Sequence, residues 1–153
     1  MHFLLIPDKF KGSVSAEGVI DALTKGILKV IPAAKISTVM ASDGGDGFLQ
    51  AVSQYTEAKA IKTQTVDPLG RELNTSYLFD EVSKHAFIEM AKASGMVLLE
   101  SSERNPLYTS TYGTGLQILD AINKGAKAIY IGLGGSATND GGIGIAKALG
   151  YFF

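Results

Sequence analysis

Cysteine is absent from the 153 residues, which excludes disulfide staples and thiolate zinc sites and leaves the redox compartment open. Arginine is nearly absent, since only Arg71 and Arg104 carry a guanidinium. A formal net charge of −1 supplies no field for nucleic acid or an anionic membrane, so neither is expected as a partner. No run approaches the ~20 apolar residues of a transmembrane helix. Met1 to Ile6 has neither the basic flank nor the long apolar stretch of a secretory signal. A soluble, cytoplasmic protein is the expectation. There is no internal repeat, low-complexity tract or charge run. G-x-x-x-x-G-K-[ST] is missing too, which excludes a P-loop kinase. His2 and His85 are too isolated to form a metal site or a triad.

What is present is globular: 46% of residues are hydrophobic and 19% charged, the balance of a chain that buries a core. At this length folding removes roughly 70% of the extended-chain surface from water. The start reads as a βαβ unit. Phe3 to Ile6 is too short for a helix and reads as a buried strand. Ser15 caps a helix with Glu17 in its first turn and Val19, Leu23, Ile27 and Ile31 every four residues, and Pro32 stops it. Lys35 to Met40 is the second strand, which implies a parallel pair joined by a right-handed crossover. From Lys59 to Met90 the residues alternate, and Asp67-Pro68-Leu69-Gly70 fits a type I turn, so an antiparallel hairpin or small sheet is expected. A lobe boundary is placed near Glu57 to Ala60, giving units 1–58 and 59–153. Helix, strand and helix then follow over Leu116 to Ile122, Ala128 to Leu133 and Ile143 to Leu149, and Tyr151-Phe152-Phe153 reads as the start of another strand. The fold class is α/β, with a Rossmann-like βαβ start and an antiparallel excursion into a second lobe.

Three loops carry the chemistry. After the Ile129 strand comes Gly132-Leu133-Gly134-Gly135-Ser136-Ala137-Thr138-Asn139-Asp140-Gly141-Gly142. Its glycines allow close approach and positive φ, so that backbone N–H groups converge on an anion. Ser136 and Thr138 add donors, Asp140 suits a metal or a substrate hydroxyl, and the following helix start favours negative charge. Asp43-Gly44-Gly45-Asp46-Gly47, before a second helix, suits a hard cation or a carboxylate that accepts a proton; the competing reading is a turn that caps the helix. Pro7-Asp8-Lys9-Phe10-Lys11-Gly12-Ser13 is the third, with Lys11 as a phosphate contact and Lys9 left between that role and ordinary surface charge. Arg104 is the first choice for a carboxylate, because a planar fork meets one bidentately; its competing reading is a salt bridge with Glu103. Thr111-Tyr112-Gly113-Thr114-Gly115 reads as a second anion cradle or as a tightly approached helix cap. Glu89, opposite in phase to Ile88 and Met90, reads as a solvent-facing strand position, with a site acid as the competing reading.

Pro7-Asp8, Phe10-Lys11-Gly12-Ser13, Asp43-Gly44-Gly45, Ile88-Glu89-Met90-Ala91, Arg104-Asn105-Pro106-Leu107, Thr111-Tyr112-Gly113-Thr114-Gly115 and Gly134-Gly135-Ser136-Ala137-Thr138-Asn139-Asp140-Gly141-Gly142 run in order along the whole chain. In that ordered set the chain resembles the bacterial-type glycerate kinase family. Lys9 stands where a Ser is usual and Asp46 where a Glu is usual.

The resemblance implies phosphorylation of glycerate by ATP with a divalent metal, Mg2+, on a two-lobed α/β protein longer than this chain. It therefore implies an amino-terminal part of such a kinase. Implied roles are phosphate contacts for Lys11, Gly44, Gly45, Gly134, Gly135, Ser136 and Thr138, and substrate contacts for Arg104, Asp8 and Thr114. Asp43 or Asp140 would hold the metal while the other accepts or orients the substrate hydroxyl proton. Two alternatives remain open. One is a non-catalytic fragment or interaction module, self-associating through an unpaired edge. The other is a nicotinamide-dependent oxidoreductase, because Gly132 to Ala137 fits G-x-G-x-x-A after a strand.

Overall fold

The computed structural model describes every residue except Lys9, Lys11 and Gly12. The expectations for Lys9 and Lys11 therefore lie outside the described residues. The chain separates into two compact units, Met1–Asp43 and Gly44–Phe153.

In the first unit β1 (His2–Leu5) pairs in parallel with β2 (Lys35–Thr38), His2 facing Lys35 and Leu5 facing Thr38. Lys35 N–H donates to the Met1 carbonyl and Val39 N–H to that of Leu5, both at 2.9 Å, so the ladder runs past both strand ends. The crossover helix α1 (Ala16–Val30) starts as its residues dictate. Ser15 Oγ accepts Gly18 N–H at 3.2 Å, Glu17 occupies the first turn and Lys29 the last. Val19 and Ile27 are half-buried, whereas Leu23 is 45% exposed. Together with Phe3, Val30 and Ile31, Leu23 and Ile27 line an apolar hollow of about 350 Å³.

The second unit opens with α2 (Phe48–Ser53), followed by β3 (Lys59–Val66), β4 (Glu72–Asp80) and β5 (His85–Glu89). The short α3 (Ala91–Ser94), two 3-10 turns, α4 (Tyr112–Asn123), β6 (Ala128–Gly132) and α5 (Ile143–Ala148) complete it. The sheet order is β3-β4-β5-β6, antiparallel across the first two junctions and parallel between β5 and β6. The alternation read between Lys59 and Met90 is this meander, and the parallel β5–β6 pair returns through α4. Tyr77, Phe79, Ala86 and Ile88 from the sheet pack with Ile118 and Ala121 of α4. Ile131, Ile145 and Leu149 close over that cluster. Tyr77 Oη donates to Asp120 at 2.7 Å, and burial followed by that carboxylate pushes the phenol pKa upward.

Two sequence expectations are corrected here. The boundary expected near residues 57–60 falls inside the second unit, because Leu49 and Ala51 of α2 are buried and α2 packs on β4 and β5. Tyr151–Phe153 forms no strand; all three side chains are exposed, and Tyr151 N–H turns back to the Ala146 carbonyl at 3.0 Å. Among the described residues no helix is long and apolar enough to cross a membrane.

The β3–β4 turn forms as its residues predict. Gly70 N–H closes on the Asp67 carbonyl at 3.0 Å with φ at +85°, a value that favours glycine. The buried Asp67 carboxylate accepts Leu69 N–H at 2.9 Å, Arg71 N–H at 3.0 Å and Arg71 Nε–H. Burial raises its pKa, but these donors and the guanidinium outweigh that, and the net shift is downward. A depressed folded value means that stabilisation is complete above the ordinary aspartate value of about 3.9 and is lost as pH falls through the folded value. Asp67→Asn should lower the thermal midpoint near pH 6, with the two midpoints converging as acid protonates the wild-type carboxyl; a constant gap down to about pH 2.5 would refute the assignment.

Candidate functional site

Two glycine loops meet inside the second unit. Gly134 N–H donates to the Gly44 carbonyl at 3.0 Å, and backbone packs directly on backbone around that bond. A Cβ on Gly134 would lie 2.5 Å from Gly45 Cα, and one on Gly132 would lie 2.5 Å from the Gly44 carbonyl oxygen. Gly135, at φ +74°, would set its Cβ 2.9 Å from Asp46 Oδ1. Several of these glycines are therefore required by loop-to-loop contact, a use distinct from the ligand approach expected of them. The loop is further tied to the chain after β5: Met96 N–H donates to the Gly135 carbonyl at 3.0 Å, and Ala137 N–H to that of Ser94 at 2.8 Å. Thr109 Oγ1 donates to the Ala137 carbonyl at 2.7 Å.

Within the loop Ser136 Oγ and Thr138 Oγ1 share a hydrogen bond of 2.7 Å, and Thr138 N–H donates to Ser136 Oγ at 3.1 Å. The N–H groups of Gly135, Asn139 and Gly141 make no hydrogen bond among the described residues. With the N–H groups of Ser136 and Asp140, which also donate to nothing among the described residues, they are donors left over once the frame is built.

Asp140 is the most heavily engaged of the expected site residues. Its oxygens accept Thr111 N–H at 2.8 Å, Thr111 Oγ1–H at 2.9 Å, and Gly142 and Gly144 N–H at 3.1 Å each. Ser110 Oγ stands at 3.4 Å. Burial raises the Asp140 pKa, but the donors of Thr111, Gly142 and Gly144 outweigh it and hold the carboxyl below its ordinary value.

The other expected residues are scattered more widely. Thr114, expected as a substrate contact, is wholly buried, with its hydroxyl 2.7 Å from that of Ser94. The Thr111–Gly115 segment is likewise a close-packed helix start. A Cβ on Gly113 would meet the Val66 carbonyl oxygen at 1.9 Å, and one on Gly115 would meet Ile145 Cα at 2.8 Å. The salt bridge considered for Arg104 belongs to Arg71, whose guanidinium reaches Glu103 at 2.6 Å and also Asp67. Arg104 is exposed and donates through Nε to the Leu99 carbonyl at 3.3 Å; it is in no ion pair among the described residues. In the first unit Asp8 and Asp43 are exposed. They lie on the loops that follow β1 and β2, which leave the same end of the parallel pair. Glu89, expected to face solvent, is 4% exposed and accepts Leu49 N–H at 3.1 Å, so it caps α2. The available signal was its place at the carboxyl end of an otherwise apolar strand, where a lone carboxylate is costly unless bonded.

The sequence profile of the Glycerate kinase family matches residues 3–153. The chain belongs to that family. It is 43% identical over 150 residues to the glycerate 2-kinase of Escherichia coli (strain K12), an alignment covering 98% of this chain and 39% of the relative. A glycerate kinase of Halalkalibacterium halodurans is 42% identical, with 96% and 39% covered. A crystal structure from Salmonella typhimurium LT2, of a protein named as a candidate glycerate kinase 2, superposes with a TM-score of 0.77 at 39% identity. That alignment covers 98% of this chain and 41% of the Salmonella chain. The chain thus spans about 40% of the length of these relatives.

If loop-to-loop packing is what these glycines serve, Gly134→Ala should destabilise the second unit by about 1–3 kcal/mol through overpacking. Gly26→Ala, where a Cβ meets nothing within 4 Å on a helix, should be neutral or stabilising by up to about 1 kcal/mol. Urea unfolding of both variants checks the contrast, and an unaltered midpoint for Gly134→Ala would sink it.

Proposed function

We propose that this chain carries the phosphate-handling part of a kinase that transfers a phosphoryl group from ATP to a hydroxyl of glycerate. Membership of the family supports the reaction class. The observation that carries the reading is the framed loop of residues 133–142, where the N–H groups of Gly134, Ala137, Thr138 and Gly142 are spent on the fold while those of Gly135, Ser136, Asn139, Asp140 and Gly141 make no hydrogen bond among the described residues. Ser136 and Thr138 stand beside them with hydroxyls able to donate. Phosphoryl transfer demands charge neutralisation and alignment more than covalent help, which suits a loop of fixed dipoles.

Arg104 is the residue for the glycerate carboxylate, being the guanidinium not engaged by an acid among the described residues. Asp8 and Lys11 are proposed for the substrate hydroxyl and the phosphates. No group of three or more His, Asp or Glu among the described residues is placed to hold a metal. Mg2+ requires no such cage, because it is ordinarily held by one or two carboxylates together with the nucleotide's phosphates and water. Asp43 is proposed for that role, because Asp140 already accepts donors from Thr111, Gly142 and Gly144. When bound, the metal would offset phosphate charge. The nicotinamide reading is not carried forward, since Gly132 and Gly134 are consumed by contact with Gly44 and Gly45. The module reading retains one observation in its favour, the 39–41% coverage of the relatives.

Titration of the 153-residue chain with ATP, beside a coupled assay for glycerate phosphorylation, decides between them. Turnover, with Asp43→Asn lowering it by roughly 10²–10⁴-fold, supports the kinase. ATP binding without turnover favours the module, and neither binding nor turnover overturns the nucleotide reading. Size-exclusion chromatography of the same sample reads whether any activity belongs to an assembly of chains.

A further inference from the structure

We propose that Asp140 is a positioning carboxylate, a clasp fastening the glycine-rich loop to the start of α4, and not the base or metal ligand of the reaction. The proposal deepens the nucleotide reading above and rests on it for its functional consequence. A carboxylate offers about four lone-pair sites. Here Oδ2 accepts Thr111 N–H, Thr111 Oγ1–H and Gly144 N–H, with Ser110 Oγ at 3.4 Å beside them, and Oδ1 accepts Gly142 N–H. A cation at Oδ2 would have to displace donors that then have no acceptor. A substrate proton would have to enter a cluster already surrounded by N–H groups.

The cluster is built for the clasp on its far side as well. Thr111 Oγ1, while donating to Asp140, accepts Ile145 N–H at 3.1 Å, so one hydroxyl links the loop, α4 and the first turn of α5. Gly144 is the residue this geometry needs: a Cβ there would lie 2.3 Å from Ser110 Oγ, 2.5 Å from Tyr112 N and 2.8 Å from Asp140 Oδ2. The consequence is directional. Asp140 fixes the chain on either side of Gly141 and directly after Asn139, two of the residues whose N–H groups remain available, and so decides how those donors are presented.

The test is ATP titration of the 153-residue chain, with Mg2+ and with EDTA, for wild type, Asp140→Asn and Thr111→Val. Thr111→Val removes one donor to the carboxylate while keeping the backbone bond, so it serves if Asp140→Asn does not fold. A clasp predicts that both variants weaken ATP by roughly threefold to tenfold, by the same factor with and without metal. A purely structural carboxylate predicts unchanged affinity in the folded fraction. A metal ligand predicts that Asp140→Asn loses only the Mg2+-dependent increment while Thr111→Val binds as wild type; either of these last two results overturns the proposal. If wild type binds no ATP, the nucleotide reading falls by itself. Amide hydrogen exchange at Gly142 and Gly144 then decides the clasp: faster exchange in the variants, by about tenfold or more, upholds it, and unchanged exchange refutes it.

Discussion

The second unit depends on one constraint: the backbone of residues 44–45 touches the backbone of residues 132–135 with no side chain between them. Side chains at Gly132 or Gly134 would occupy the space of a carbonyl or a Cα, so the contact exists only because those positions lack a Cβ. From it follow the place of α2 beside β5, the capping of α2 by Glu89, and the point at which the long loop leaves β6. Glycine is often read as flexibility. Here much of it serves the opposite end, allowing rigid segments to lie close enough for hydrogen bonds such as that from Gly134 to Gly44.

Burying charge imposes the second organising demand. Glu89 and Asp67 are buried and Asp140 is half-buried, and each carboxylate accepts backbone N–H. A buried carboxylate without such partners would be strongly destabilising, so each of the three marks a place where the chain has been folded around it. Asp67 holds a turn, Glu89 starts a helix, and Asp140 joins a loop to two helix starts. The same demand redistributes the arginines. Arg71 is held by Asp67 and Glu103, which leaves Arg104 as the guanidinium outside any ion pair among the described residues.

Much of this was readable from local patterns. The Ser15 cap, the Asp67-Pro68-Leu69-Gly70 turn and the alternation of β3 and β4 appear as expected because each is encoded by residues a few positions apart, and the parallel β1–β2 pair because a strand-helix-strand order implies it. The burial of Glu89 and of Thr114 was not legible for a shared reason. Period-two and helix-start reasoning gives the phase of a side chain, but not whether another element lies over it. Leu49 arrives from 40 residues away to cover Glu89, and Ser94 from 20 residues away to bond Thr114. Tyr151 to Phe153 is β-prone by residue type and pairs with no strand among the described residues.

By itself the sequence determined the family, the α/β class, the order of the principal elements and the identity of the loops that bear polar chemistry. Those properties are written in residue type and spacing, where caps, turns and hydrophobic periods act over short range. Tertiary structure alone decided what each polar residue does. It surrounded Asp140 with donors from Thr111, Gly142 and Gly144, and gave Glu103 to Arg71 instead of Arg104. Hydrogen-bond partners are assigned by proximity in space, and proximity across 30 residues is settled only when the whole unit packs.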